Sequence, residues 1–364
     1  MRIGGNQKRL YLLSAVLMVI TLVIVTAFGL WGAPDTDEPG AVPAPGAAAT
    51  PQASLSPAPT TSPEPESAKM RTVVYYQDNY GYLVPVTRTL PAEEGVAKAT
   101  LSMMVQSAYN DMEAARLGLR TVLPEGTEID LDVTRDGTAR IDLSEQVLKL
   151  SSAEAESNMV AAVVQTLTEF PTVKQVEFLV GGRQRNSLTF GTDISGAFER
   201  GTINLESAQC AFAPGEADTV RLYFPGETSS LIVPVTRMVY GLPDLDTAVL
   251  ELAKGPGGQS PLERARPEGC GLISAHVENG VATVNFTREF MNVAEHSDGG
   301  RAALRALVLT CTQFDGIQTV RVQVEGEDYD PGESTLATPT FVNDASSLTQ
   351  EYIRTQTAAL IELE

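Results

Sequence analysis

The sequence predicts an α+β protein built from two tandem copies of one small α/β sandwich domain. Three observations predict it. The pentapeptide Val84-Pro85-Val86-Thr87-Arg88 returns as Val233-Pro234-Val235-Thr236-Arg237, 149 residues later. Its flanks return too: Thr72-Val73-Val74-Tyr75-Tyr76 answers Thr219-Val220-Arg221-Leu222-Tyr223, and Pro124-Glu125-Gly126 answers Pro267-Glu268-Gly269. Finally, Phe170, Val176, Val180 and Gly182 recur as Phe314, Val320, Val324 and Gly326. A repeat above about 100 residues has the size of a domain, not of a solenoid unit.

Each copy opens on a hairpin. Val220–Phe224 and Leu231–Val235 are β-rich runs flanking the turn signal Pro225-Gly226. The proline of Val-Pro-Val has no N–H, so that strand is expected at an edge or paired on one side only. A helix follows, with Val96, Thr100, Leu101 and Met104 set against Leu245, Val249, Leu250 and Ala253. Gly255-Pro256 ends it in the second copy. The first copy has Gln106-Ser107 there and six extra residues before its Pro-Glu-Gly.

Two strands come next. Ile129, Leu131 and Val133 alternate before Asp136-Gly137, and Ala139, Ile141 and Leu143 after it; Asn279-Gly280 makes the corresponding turn. A second helix carries Met159, Val160, Val163, Val164 and Leu167, matched by Ala303, Leu304, Leu307, Val308 and Cys311. The last strand is Val176–Val180, matched by Val320–Val324. Each unit thus reads hairpin, then α-β-β-α-β, with two helices on one face of a small sheet.

In this order the motifs resemble the GerMN-domain family of sporulation and germination proteins. The carriers are the aliphatic-Tyr-Phe strand, Leu-Val-Pro-Val-x-Arg, the helix closed by Gly-Pro, Pro-x-Gly, the glycine turn, and Thr-x-x-x-Phe-x-x-Val-x-x-Val. The resemblance covers residues 71–190 and 218–328. The first copy departs by lacking Gly-Pro after its first helix. The resemblance implies a core similar to the ring-building modules of bacterial trans-envelope machines.

The chain divides as follows. Residues 1–31 are expected to be a cytoplasmic stub and transmembrane signal anchor. Arg2, Lys8 and Arg9 precede Leu10–Leu30, 21 residues without a charge, which is about 30 Å of helix. A cleaved signal peptide would have a shorter apolar region and a cleaner small-x-small site than Ala27-Phe28-Gly29. Asp35, Asp37 and Glu38 follow the span, placing the N-terminus in the cytoplasm and the bulk outside. Residues 32–68 are a Pro/Ala/Ser-rich spacer with nine prolines before Ser67, too poor in large apolar side chains to fold. The first domain takes 69–200, an interdomain linker 201–217 and the second domain 218–330. Leu188–Ser195 is expected to add a last strand to the first unit. The tail, 331–364, offers a helix from Ser347 with Leu348, Tyr352, Ile353, Leu360 and Leu363 on a weakly apolar side; it either caps the second unit, the favoured reading, or is loose.

Net charge is −20, which disfavours nucleic acid and anionic lipid head groups as ligands. Three cysteines exclude a disulfide-dense scaffold. Cys311 reads as a buried free thiol; a Cys210–Cys270 bridge stays open. Nothing in the sequence assembles a catalytic, cofactor or metal site. Both histidines, His276 and His296, lie in the second copy. His276 beside Glu278 reads first as an ordinary strand histidine. His296-Ser297-Asp298 is a triad only in writing, since triads are assembled by geometry; Ser297 or Asp298 is more simply a helix cap. Gly181-Gly182 and Gly299-Gly300 lack phosphate-loop spacing, and Asp136-Gly137 lacks the later ligands of a calcium loop. The recurring Arg88 and Arg237 invite carboxylate binding, but an intradomain ion pair is the plainer reading.

Together these readings point to a non-enzymatic envelope protein without cofactors. By the resemblance, it is expected in the mother-cell membrane facing the intermembrane space around the forespore, contacting other extracytoplasmic sporulation proteins, with a ring as one arrangement. The alternative is a peptidoglycan-binding or cortex-related wall protein. Against that, the lone Trp31 sits at the membrane edge, and a hydrolase needs paired carboxylates in a cleft. Residues 106–123, with Tyr109, Met112, Arg116 and Leu119, are either a partner-facing element of the first unit or an extension of its helix over its own core.

Overall fold

β-Branched and aromatic residues set the two hairpins. β1 (Lys69–Gln77) pairs antiparallel with β2 (Leu83–Pro91), and β7 (Ala217–Pro225) with β8 (Ile232–Tyr240). The computed structural model describes residues 68–92, 94–206, 215–227, 231–258, 260–293, 298–329, 337–339 and 342–346. The expected membrane span, the spacer, Cys210, His296 and the expected tail helix lie outside the described residues. Among those described, no helix is long and apolar enough to cross a membrane.

In the first unit the hairpin leads to α1 (Val96–Ser102) and α2 (Ala108–Ala115). Then come β3 (Ile129–Val133), β4 (Thr138–Leu143), α3 (Ala153–Leu167), β5 (Gln175–Val180) and β6 (Ala197–Glu199). The sheet order is β3-β4-β5-β6, with β4 and β5 parallel and the outer pairs antiparallel. The second unit runs α4 (Leu245–Lys254), β9 (Leu272–Glu278), β10 (Val281–Phe286), α5 (Asp298–Cys311), β11 (Thr319–Val324) and β12 (Glu327–Tyr329), with sheet order β12-β11-β10-β9. The hairpin-α-β-β-α-β order is therefore present twice.

Three details differ from the sequence reading. The first copy's extra residues form a helix of their own, α2, capped by the Ser107 hydroxyl accepting from the Asn110 N–H. The strand that closes its sheet is Ala197–Glu199, whereas Leu188 and Ile194 are buried beneath a loop pinned by the bridge of Ser187 with Asp193. The Glu156 carboxylate, wholly buried, accepts from the Phe190 and Thr192 amides, and that turns this stretch into a loop. In α4, Leu250 is half exposed while Ala248, Val249 and Leu252 are buried. Burial thus aligns Thr100, Leu101 and Met104 with Ala248, Val249 and Leu252, one residue off the sequence alignment.

α3 touches both β1 and β5, and α5 touches both β7 and β11. Each helix therefore packs on its sheet and on its hairpin. One hydrogen bond repeats at this junction: the Tyr75 N–H donates to Thr166 Oγ1 at 3.1 Å, and the Tyr223 N–H to Thr310 Oγ1 at 3.2 Å. Tyr75 is thus the counterpart of Tyr223. The hairpins agree, since Tyr75 faces Pro85 and Tyr223 faces Pro234. Sequence alone aligns Tyr76 with Tyr223; ladder register moves the match by one, so Arg221 stands where the first unit has Val73.

Candidate functional site: the surface shared by the two hairpins

Proline removes one ladder donor from β2 and from β8, and each strand pairs on one side only within its sheet. The free sides meet across the molecule, where Val84, Val86, Val233 and Val235 are almost wholly buried. Each free side also receives a strap from the other unit. After the first unit, Leu205 bridges in parallel to Thr236 of β8; after the second, Asp344 bridges in parallel to Thr87 of β2. The two bridged threonines occupy the same repeat position.

An asparagine locks each strap. The Asn204 side-chain amide donates to the carbonyls of Leu83 (2.8 Å) and Pro234 (2.7 Å), and its Oδ1 accepts from the Leu83 N–H at 2.8 Å. The Asn343 amide donates to the carbonyls of Pro85 and Ile232, and its Oδ1 accepts from the Ile232 N–H, all at 2.8 Å. Leu83 and Ile232 are repeat counterparts, as are Pro85 and Pro234. The two clasps are thus related by an approximate two-fold, each tying both hairpins at once. Asn204 holds a positive φ of 49°, a conformation that asparagine tolerates better than most residues. Among the described residues of the tail, Ala337 and Thr338 bind Thr319 and Gln318 of the second unit, and Asn343 and Asp344 reach the first unit's hairpin.

Arg88 and Arg237 close the two ends. Arg237 donates to Glu206 Oε2 (2.6 Å) from the first strap, to Glu251 Oε2 (3.3 Å), and to the carbonyls of Glu251 and Gly255 at 2.8 Å each. Arg88 pairs with Glu113 of α2 at 3.5 Å and lies over the Tyr76 ring. Both are structural ion pairs: Arg88–Glu113 and Arg237–Glu251 lie within one unit, as expected, while Arg237–Glu206 joins the strap from the first unit. The extra residues of the first copy supply Glu113, in place of the glutamates that the second copy draws from its strap and helix.

Residues 106–123 divide between the two readings. Ala114, Leu119, Val122 and Leu123 are buried, so part of the segment is core. Tyr109 is 68% exposed and Met112 47% exposed, so α2 turns an apolar face outward. Arg116 pairs with Glu113 at 2.7 Å.

The remaining candidates find ordinary surroundings. His276 is exposed on β9, opposite Thr283. Asp298 opens α5; His296 and Ser297 lie outside the described residues. The Asp136 carboxylate accepts from the Thr134 and Thr138 hydroxyls, and the Thr134 bond first of all holds it below the usual carboxylate range. Cys270 and Cys311 are free and buried, and burial raises both thiols. Cys210, the candidate partner of Cys270 in a bridge, lies outside the described residues. Among the described residues, no group of three or more His, Cys, Asp and Glu is arranged to hold a metal ion.

The straps escaped the sequence reading because Asn204 and Asn343 lie 139 residues apart, whereas the hairpins lie 149 apart. The shared aliphatic-Asn pairs Ile203-Asn204 and Val342-Asn343 were the available signal.

Comparison with known proteins places these features. The Germane family, described as sporulation and spore germination, matches residues 73–186 and 221–330. The spore germination protein GerM of Bacillus subtilis (strain 168) is 31% identical over 269 residues, covering 72% of this chain and 73% of that protein. The solved structure of the tandem GerMN domains of the sporulation protein GerM from Bacillus subtilis superposes with a TM-score of 0.62 at 28% identity. It covers 76% of this chain and 99% of the solved one.

Proposed function

The chain belongs to the Germane family of sporulation and spore-germination proteins, and on that premise we propose that it is a non-enzymatic assembly component of an extracytoplasmic sporulation complex. Its sporulation-related role follows from the family. The finer reading is that its two units work as one rigid docking body, held on the membrane by residues 10–30 with the bulk outside, in the space between mother cell and forespore. The observation that carries this reading is the reciprocal strap exchange. Each unit's chain ends on the other unit's hairpin, so a load on one unit passes to the other through the Asn204 and Asn343 clasps. A protein that transmits or holds position benefits from such coupling. The acidic surface and the outward face of Tyr109 and Met112 suit protein partners better than nucleic acid.

Co-purification of the tagged full-length protein from sporulating cells tests this proposal. Recovery of extracytoplasmic sporulation proteins, lost when Met112 and Tyr109 are replaced by Asp, is the expected result. Recovery of none, together with retention on purified peptidoglycan, would replace it with a wall-binding function.

A further inference from the structure

The approximate two-fold fails at the two bridged threonines. The Thr236 hydroxyl donates to the Ile203 carbonyl at 2.7 Å and accepts from the Ile203 N–H at 3.1 Å. Its counterpart Thr87 is only 2% exposed, yet its Oγ1 meets no hydrogen-bond partner. The second strap reaches the Thr87 backbone, whose N–H donates to the Asn343 carbonyl at 2.7 Å, but leaves the hydroxyl alone. A second orphan lies alongside. Arg221, standing where the first unit has Val73, buries its Nε without a partner. Buried polar groups are almost always satisfied, so two orphans in one place call for a reason.

Both line one cavity of about 170 Å³ between the hairpins, walled by Tyr75, Tyr223, Pro85 and Pro234. Thr87 faces Val73 directly across the β1–β2 ladder, and Tyr75 faces Pro85, which puts their side chains on the same side of that hairpin. The charges in the cavity wall are Glu169, Arg200 and Arg221. Glu169 is neutralised by Arg200, and both bond the Tyr75 hydroxyl at 2.8 Å. One uncompensated positive charge remains, on Arg221.

We propose that this cavity binds a small organic monocarboxylate, with Arg221 and the Thr87 hydroxyl holding the carboxylate and the tyrosine and proline walls holding its apolar body. The guanidinium fork matches a planar carboxylate. A single spare cation matches one negative charge; a dianion would leave a charge unpaired in a chain of net charge −20. The site exists only where the two units meet, so its occupant would also strengthen their union, because a ligand bound to the folded form stabilises it. This inference does not depend on the assembly role.

Benzoate is the test ligand and benzyl alcohol the neutral control, on the full-length protein in detergent, by ligand-observed NMR and thermal melting. Benzoate is expected to bind saturably, with a dissociation constant on the order of 1 mM or tighter for so small a ligand, and to raise the melting temperature. Benzyl alcohol should do neither. Arg221→Gln should weaken benzoate binding by about tenfold or more, the loss expected for a hydrogen bond to a charged group, with the unliganded circular dichroism unchanged. Thr87→Val should weaken it too, and carries the test alone should Arg221→Gln not fold. Absence of saturable benzoate binding, equal binding of benzyl alcohol, or unchanged affinity in the variants would each overturn the proposal.

Discussion

The side-chain amide of Asn343 donates to the carbonyl oxygen of Pro85 at 2.8 Å, across 258 residues of sequence. Through the same amide, Asn343 also holds Ile232 of the other unit. A single side chain near the end of the described chain therefore satisfies backbone groups in both hairpins, and Asn204 does the same from the middle of the chain.

Asn343→Ala removes all three of those bonds and strands a buried N–H and two carbonyls. A loss of about 2–4 kcal/mol is expected, since each orphaned buried group costs about 1–3 kcal/mol and relaxation recovers part of it. Asn204→Ala should cost a similar amount. The double variant should unfold in two calorimetric transitions, where a single one is expected of the parent. A single sharp transition in the double variant would mean the clasps do not couple the units.

The repeated Thr-to-backbone bond makes a paired prediction. Thr166→Val and Thr310→Val keep shape and volume but leave the Tyr75 and Tyr223 amides without acceptors. Each should lower stability by about 1–3 kcal/mol in denaturant melts. Equal effects of the two would support the structural equivalence of these positions.

Met112 and Leu119 sit in one segment with opposite burial, 47% against 4% exposed. Met112→Asp should leave stability within about 0.5 kcal/mol, while abolishing assembly in sporulating cells. Leu119→Asp should cost several kcal/mol, because it buries an unpaired charge. A large stability loss in Met112→Asp would make α2 core rather than contact surface.

Asp244 caps α4 by accepting from the Thr247 hydroxyl and N–H, and these bonds, the hydroxyl's first, hold its carboxyl below the usual range. A lowered folded value means its contribution is present above the unfolded value of about 4 and is lost as pH falls through the folded one. The exposed Asp244→Ala variant should be about 1 kcal/mol less stable at neutral pH. The gap should narrow below about pH 4; a gap that widens there would refute the charged cap.

Cys270 and Cys311 should resist N-ethylmaleimide in the native protein and react fully in denaturant, because burial keeps both protonated. Peptide mapping after labelling reads this directly. Native labelling of Cys311 would contradict its complete burial at the end of α5.

By itself the sequence determined the duplication, the order of elements within each copy and the core stripes of α3 and α5. These rest on periodicities of two and of about 3.6 residues, and on turn residues such as Asp136-Gly137, all of which act over short spans of chain. The one-sided pairing of β2 and β8 was likewise legible, since it follows from a missing N–H. Tertiary structure decided the rest. It moved β1 against β7 and α1 against α4 by one residue, because register is set by cross-strand pairing and burial. It made Glu113 the partner of Arg88, gave residues 106–123 both buried and outward side chains, and brought Asn343 and Asp344 to the first unit's hairpin. Above all, it joined Asn204 and Asn343 to hairpins in both units. Which carbonyls an asparagine amide meets across 121 or 258 residues is fixed only when two folded surfaces come together, and no local preference in the chain records it.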